Sequence, residues 1–578
     1  MQLATSTNTF KRLRFVRLGF LVAGIIVTAQ LFRIQVLSRG FYTALADGQH
    51  ELFQHLFPER GRIYASDPKT GQVSLVAANR SSSLAYAEPF HVKEPKHAAY
   101  VLAPLLGLDE IELAAKLADS KAQYRPLKKD VPDDVRAKIE ALKLDGIAFS
   151  DEDARFYPEG DTGAQVLGFV SSRDDGSRVG HYGIEGYFNQ ELSGATGFLN
   201  ADKDPFGHLL ADSLRQFKPA KNGTDIVLTI DRTVEHVVCS KLQAWVSAHG
   251  AARGSVVIMD PNSGAVVAMC NAPSFDPNAF NKVDDVGVYN NTAIFDAYEP
   301  GSIFKTITMA AGLDTGKITP DSTFNDTGEE KIGQFTIHNA DRKGHGIVSM
   351  TEILAQSLNT GIDHVVQMVG SESFLSYVQN FGFGVKTGIE LETESPGNIE
   401  SLKRKGDIWA ATGAFGQGLT VTPIQMAAAY ASIANGGTLL QPTIVAEMRD
   451  PSTGQAQKTK PKVVRRVMSE RAARLLTGML VAVVEKGEGH RAGIQGYWVG
   501  GKTGTAQIPR TDGQTGYEVG STIGSFAGFA PIDNPKFVMI VRIDRPKDVQ
   551  YAESSAAPLW GAIGKFLTDY YEIPPTRH

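Results

Sequence analysis

Cysteine is almost absent from this chain: 578 residues hold two, Cys239 and Cys270. That count excludes a fold built on disulfides. The pair reads as two buried thiols, because Cys270 ends the strand-like run AVVAMC. A single bridge is the alternative if the chain lies outside the cytoplasm. Metal-binding patterns are missing too. There is no HExxH, no paired CxxC and no carboxylate-rich loop, so the sequence offers no metal site and implies no cofactor. Surplus positive charge is lacking as well, and a net charge of -5 excludes a polyanion funnel and with it a nucleic-acid partner. No internal repeat is visible, and no low-complexity segment beyond the short tail IPPTRH. What remains, 42% hydrophobic and 21% charged residues, is globular and long enough for more than one domain.

One apolar run stands out. Lys11, Arg12, Arg14 and Arg17 precede LGFLVAGIIVTAQLF, Leu18 to Phe32. As a helix this run covers about 22 Å, short of a hydrocarbon core of about 30 Å. It reaches further, to Leu37, if Arg33 snorkels. The cations ahead of it place residues 1–17 in the cytoplasm, residues 18–37 in the bilayer as a single-pass anchor, and the bulk of the chain outside. A cleavable signal peptide ending near Val27-Thr28-Ala29 is the rival. An uncleaved anchor is preferred because Leu31, Phe32, Ile34, Val36 and Leu37 continue the apolar run.

After a linker at 38–55, residues 56–222 mix short strand-like runs with charged helical stretches such as DEIELAAKLADS and DDVRAKIEALK. No cluster of nucleophiles and bases lies there, which suits a supporting or docking domain. KPAKNGTD marks a boundary. Residues 223–571 read as one large domain followed by a tail at 572–578. GSVVIMDPNSGAVVAMCN and SFAGFAPIDNPKFVMIVRID are hairpins. Helical patterns lie between them and one follows. The arrangement implies an α+β protein with an antiparallel sheet packed against helices.

The chemistry concentrates in YEPGSIFK. Pro300 and Gly301 make a sharp entry, and Ser302 sits at or beside a helix start. Residues three apart on a helix share a face, so Lys305 can reach the Ser302 hydroxyl. A serine alcohol needs a base to become a good nucleophile. Lysine is a base only when neutral, so its pKa must fall from about 10.4 toward 7–8. Taken alone, SxxK is too common to mean more than a capping serine and a solvated lysine. Two further stretches change that. QSLNTG presents Ser357 and Asn359, suited to relaying a proton and to bonding a substrate amide. VGGKTGTAQ presents Lys502, Thr503, Gly504 and Thr505 on a strand. Lys502 can depress the Lys305 pKa and attract a carboxylate. Gly504 lets a substrate lie close, and Thr505 can offer an N–H opposite that of Ser302.

Two decoys need weighing. Lys386-Thr387-Gly388 repeats the KTG pattern but follows a glycine-rich turn with no strand. GYWVGGKT, Gly496 to Thr503, fits a phosphate-binding loop, yet it lacks the preceding strand and the following helix that such a loop needs.

The ordered set SxxK, SxN and KTG resembles the signature of serine β-lactamases and penicillin-binding proteins. ERGRIYASD, RFYPEGDTGAQVLGFV, YGIEGYFNQELSGATG, PSFDPN, FGFGVKTGIEL and GQGLTVTPIQMAAAYASIANGG extend the resemblance over nearly the whole chain, to a class B penicillin-binding protein. That resemblance implies a serine β-lactamase/transpeptidase-like fold on an N-terminal α/β pedestal. It implies D,D-transpeptidase activity on peptidoglycan stem peptides, with β-lactams as covalent inhibitors. Ser302 would be the nucleophile, Lys305 the base, and Ser357 with Asn359 the second motif. Lys502, Thr503 and Thr505 would hold the substrate carboxylate, with the N–H groups of Ser302 and Thr505 as the oxyanion hole. Asn359, where elongation-type relatives commonly have Asp, and FGQGLTVT resemble the division-specific branch, as does the lack of further C-terminal modules. A glycosyltransferase of the SEDS family and other division proteins would be partners. One departure is Thr292, where relatives often carry Arg. The readings to separate from a septal transpeptidase are an elongation-type enzyme, a non-catalytic penicillin-binding sensor or scaffold, and a β-lactamase. For the last, Glu392 and Glu394 are candidate water-activating bases, by residue type alone.

Overall fold

The computed structural model describes residues 51–56, 58–119, 122, 124–173, 178–203, 209–510 and 516–577, with Thr28 and Gln30. Apart from those two residues, the expected anchor at 18–37 lies outside the described part, as do residues 1–17. Among the described residues no helix is long and apolar enough to cross a membrane.

The chain divides into two compact units, Met1–Glu59 with Gly194–Asn222, and Arg60–Ser193 with Gly223–His578. In the first, strands Glu51–Leu56, Gly197–Lys203 and Leu209–Lys218 form an antiparallel sheet with Gly197–Lys203 in the middle.

The second unit is built on two sheets. The sheet nearest the chemistry has five antiparallel strands, in the order Val266–Ala272, Arg253–Met259, Phe537–Asp544, Tyr517–Ala530, Gly500–Pro509. Both expected hairpins are there. The central strands read as continuous apolar runs because both faces are covered. Along Phe537–Asp544, residues Phe537, Met539, Val541 and Ile543 enter one core with Trp560 and Val238, while Val538 and Ile540 enter another with Phe304 and Tyr430. That alternation is the period of two expected of a strand. Helices Arg232–Ala248 and Ala552–Tyr570 cover the first face, and helix Pro423–Ala434 packs on the second. Local signals start these helices. Asp231 accepts from the N–H groups of Thr233 and Val234, at 3.0 and 3.2 Å. Thr422 and Gln425 form a capping box ahead of TPIQMAAAYASIA.

The other sheet crosses the sequence boundary at KPAKNGTD. Strand Asp225–Asp231 lies between Val445–Arg449, antiparallel, and Ile63–Ser66, parallel. Ile63–Ser66 then pairs with the long strand Val73–Ala87, which carries Arg125–Val131 and Ile147–Phe156.

Three of the pedestal motifs meet at one buried carboxylate. Glu185, from YGIEGYF, is 0% exposed. It accepts from Arg60 Nε of ERGRIYASD at 2.7 Å and from Arg155 Nε of RFYPEG at 2.6 Å. Burial pushes the Glu185 carboxyl up, but Arg155 and Arg60 together outweigh it and hold the group below the usual carboxylate range. The PSFDPN motif clamps the same region. Asn278 Oδ1 accepts from Tyr157 N, and its Nδ2 donates to Tyr157 O, both at 2.9 Å.

The expectation of two free thiols is corrected: Cys239 and Cys270 form a disulfide, with Cα atoms 5.1 Å apart. Helix Arg232–Ala248 lies over strand Val266–Ala272 and brings the two side chains together, a packing that the strand-like setting of Cys270 did not reveal. Among the described residues the one grouping of candidate metal ligands is Glu235, Cys239 and Cys270, and both its sulfurs are spent in this bond.

Removing one partner of a buried ion cluster leaves the others desolvated and unpaired. Glu185→Ala should therefore cost about 3–5 kcal/mol of stability. Urea denaturation of the variant beside the wild type measures it, and a loss below about 1 kcal/mol would contradict the burial argument.

Candidate active site

Ser302 lies in a short 3-10 turn, Gly301–Phe304, that runs directly into helix Lys305–Asp314. It is half-buried at the mouth of an otherwise buried segment. Its approach is fixed from several sides. Tyr298 and Val421 exchange backbone hydrogen bonds at 2.9 Å, and Gly301 N donates to Gly416 O at 3.1 Å. Gly301 has φ +57°, and a Cβ added at Gly416 would lie 2.3 Å from Gly301 O, so both positions demand glycine. Behind the turn, Arg542 donates to both Asp544 oxygens at 2.7 Å and to Asp296 O at 2.9 Å, with its guanidinium stacked 4.4 Å from the centre of the Tyr298 ring. Glu299 Oε1 accepts from Gly418 N at 3.0 Å, and its Oε2 accepts from the Tyr517 hydroxyl at 3.2 Å. Burial pushes the Glu299 carboxyl up, against these two donors.

Lys305, the first residue of the helix, is 0% exposed. Its Nζ donates to Ser357 O at 2.5 Å and to Ser357 Oγ at 3.2 Å. Among the described residues no carboxylate is paired with it. Burial drives the Lys305 pKa well below its ordinary value, the charge on Lys502 pushes it the same way, and Glu488 opposes both more weakly.

Ser357 stands in the break between helices Met350–Ala355 and Asn359–Val369, with φ +59°. A left-handed serine costs about 1–2 kcal/mol, and here it aims a carbonyl and a hydroxyl at one amine. Asn359 opens the second helix, and its Nδ2 donates to His338 O at 2.9 Å. The buried Asp326 carboxylate steadies this corner. It accepts from Thr360 Oγ1 at 2.7 Å and from Asn339 Nδ2 at 2.8 Å.

Lys502, Thr503, Gly504 and Thr505 lie mid-strand in Gly500–Pro509, the outer strand of the five. Lys502 is 0% exposed, and burial lowers its pKa against the opposing pull of Glu488. The strand passes tight against the serine turn, since a Cβ on Gly504 would lie 2.8 Å from Pro300 O. The Thr505 hydroxyl accepts from Ala552 N at 3.0 Å, which leaves its own proton and the backbone N–H for a ligand. The Lys305 amine thus meets Ser357, and the Lys502 strand passes against the serine turn, with Asn359 at the start of the helix after Ser357.

The decoys resolve. Lys386-Thr387-Gly388 has no strand, and Thr387 N and Gly388 N donate to Glu394 at 2.6 and 3.1 Å. Glu392 Oε2 accepts from Tyr182 N at 2.9 Å. Both glutamates hold backbone together and neither is a free base. The Lys-Thr of GYWVGGKT continues as strand, not helix, which rules out a phosphate loop. Thr292, in place of the frequent Arg, bonds Asn271 Oδ1 through its hydroxyl.

Sequence reasoning missed Glu488. Its Oε2 accepts from Thr503 Oγ1 at 3.2 Å and lies 3.7 Å from Lys502 Nζ. The one hint was an acid between two glycines in EKGEGHR. Glu299 was read only as part of a motif.

The family profile "Penicillin binding protein transpeptidase domain" matches residues 254–565, and "Penicillin-binding Protein dimerisation domain" matches 55–228. The chain belongs to the penicillin-binding protein transpeptidase family. Its relatives include stage V sporulation protein D of Bacillus subtilis, 34% identical over 98% of this chain and 87% of that one. Peptidoglycan D,D-transpeptidase FtsI of Escherichia coli K12 is 31% identical over 80% and 75%. Among solved structures, penicillin binding protein 3 of Mycobacterium tuberculosis, complexed with aztreonam, superposes with a TM-score of 0.68 at 26% identity, covering 91% of this chain and 99% of that one.

Lys502→Ala removes the nearby cation that helps keep Lys305 neutral. The Lys305 pKa should rise, so the acid limb of covalent penicillin labelling against pH should move to higher pH. Labelling rates across pH for both proteins test this, and an unmoved limb would show that burial alone sets the amine.

Proposed function

We propose that this penicillin-binding protein is a peptidoglycan D,D-transpeptidase that works through an acyl-enzyme on Ser302. The observation that carries the reading is the Lys305 amine, fully buried without a carboxylate partner, three residues after Ser302 and bonded to Ser357. A neutral amine there can take the serine proton as the hydroxyl attacks the D-Ala-D-Ala carbonyl. Ser357 passes that proton to the departing D-Ala. An amine from a second stem peptide then resolves the ester by the reverse proton path. Lys502 and Thr503, with Thr505 beside them, bind the terminal carboxylate, Asn359 a substrate amide, and the N–H groups of Ser302 and Thr505 the oxyanion. One such donor is worth roughly 10²–10³ in rate. A β-lactam enters the same path and stays as an ester, because Glu392 and Glu394, the acids weighed as hydrolytic bases, are engaged elsewhere.

The division of labour follows the sequence boundaries, with residues 56–222 as pedestal and 223–571 as transpeptidase domain. The protein is anchored by residues 18–37 in the cytoplasmic membrane with its catalytic part outside, a compartment that suits the Cys239–Cys270 disulfide. Its role is septal, beside a SEDS-family glycosyltransferase, as Asn359 and FGQGLTVT suggest. The similarity to a Bacillus subtilis protein named for stage V of sporulation favours a second reading, a transpeptidase dedicated to another wall-building event.

Fluorescent penicillin should label the wild type stably and Ser302→Ala not at all, and the wild type should turn over a D-Ala-D-Ala thioester mimic. Rapid loss of label would indicate a hydrolase, and labelling without turnover a sensor. Depletion should give filaments. Rounded cells would point to elongation, and normal vegetative growth with defective spores to the second reading.

A further inference from the structure

Glu488 sits where a ligand carboxylate is expected. It follows helix Glu470–Lys486 in a Gly-Glu-Gly loop pressed onto the Ser357 corner. A Cβ on Gly487 would lie 2.3 Å from Ala355 O. From this loop Glu488 Oε2 takes the Thr503 hydroxyl at 3.2 Å and lies 3.7 Å from Lys502 Nζ. Among the described residues it is the only acid paired with Lys502. Those two groups are among those assigned above to the terminal carboxylate of the stem peptide, and the inference rests on that assignment.

The proton inventory makes the two uses exclusive. A threonine hydroxyl has one proton to donate. It cannot serve Glu488 and an incoming carboxylate together, and two carboxylates against one ammonium repel each other. Lys502 and Thr503 are buried and cannot withdraw. Glu488 can: its side chain is 47% exposed, with solvent on its outer side.

We propose that Glu488 is a carboxylate placeholder, occupying the substrate-carboxylate subsite at rest and yielding the Thr503 hydroxyl only to a ligand that brings its own carboxylate. Every carboxylate ligand therefore bears the cost of displacing it, and a neutral ligand does not. A neutral ligand leaves Glu488 in place, and a weakly held anion does not displace it. Displacement also bears on the base. The charged groups acting on Lys305 are Lys502 and Glu488, and Glu488 favours the ammonium form. The ligand's carboxylate then takes over that opposing charge, so Glu488 acts on Lys305 only while the subsite is empty of ligand.

The test uses the full chain in detergent, with benzylpenicillin and its methyl ester as probes. Second-order acylation constants are read by competition with fluorescent penicillin, on the alkaline plateau where Lys305 is neutral in every variant. In Glu488→Gln the ratio of carboxylate to ester constants should rise about fivefold, the worth of one partly exposed charge pair. The acid limb should move to lower pH for both probes. A ratio that is unchanged or lower overturns the proposal, the lower value marking Glu488 as a support for Thr503. Should Glu488→Gln fail to fold, Glu488→Thr reads the same ratio. The two levels separate cleanly. A wild type that is not acylated on Ser302 defeats the transpeptidase reading, whereas a wild type acylated there with an unmoved ratio defeats only the placeholder.

Discussion

A single desolvated amine organises this molecule. A lysine far from water and without a counter-ion resists protonation, which is the condition that the proposed serine nucleophile beside it requires. Everything around Lys305 serves that condition. The helix starts at Lys305 itself, which carries the side chain inward. The broken helix at Ser357 supplies two acceptors that are neutral. The outer strand of the sheet brings a second buried cation instead of an anion. Keeping two lysines out of water is costly, and the apolar cores on both faces of the sheet provide the stability to bear it.

Much of this was legible in the chain. Hairpins with a turn between two β-rich runs declare themselves locally, and so do capped helices. YEPGSIFK, QSLNTG and GGKTGTAQ were readable because the chemistry needs particular residue types at fixed local spacing. What stayed hidden depends on packing between distant segments. The partner of Cys239 is 31 residues away and is chosen by how a helix lies on a strand. Glu488 reaches Thr503 from 15 residues away, across a 3-10 turn and into the next strand. Arg60, Arg155 and Glu185 were visible as motif letters, yet nothing local says that they share one buried carboxylate.

The same distinction explains the decoys. Lys386-Thr387-Gly388 and the GYWVGGKT match satisfy a pattern of letters without the backbone that gives the pattern meaning. Thr387 spends its donors on a neighbouring glutamate, and Lys502 extends along a strand where a phosphate site needs a helix start. Backbone context, readable from flanking residues, set the strand-borne Lys502-Thr503-Gly504 apart from these look-alikes.

The parallel pairing of Ile63–Ser66 with Asp225–Asp231 has a practical side. A catalytic fragment cut at Gly223, the natural place to trim by sequence, would keep Asp225–Asp231 but lose the neighbour on one side. Its row of amide and carbonyl groups would face solvent as a raw sheet margin beside the apolar Ile226, Leu228 and Ile230, which are buried in the whole chain. Such a fragment invites self-association through that margin, so soluble versions of the enzyme are better begun upstream of Ile63.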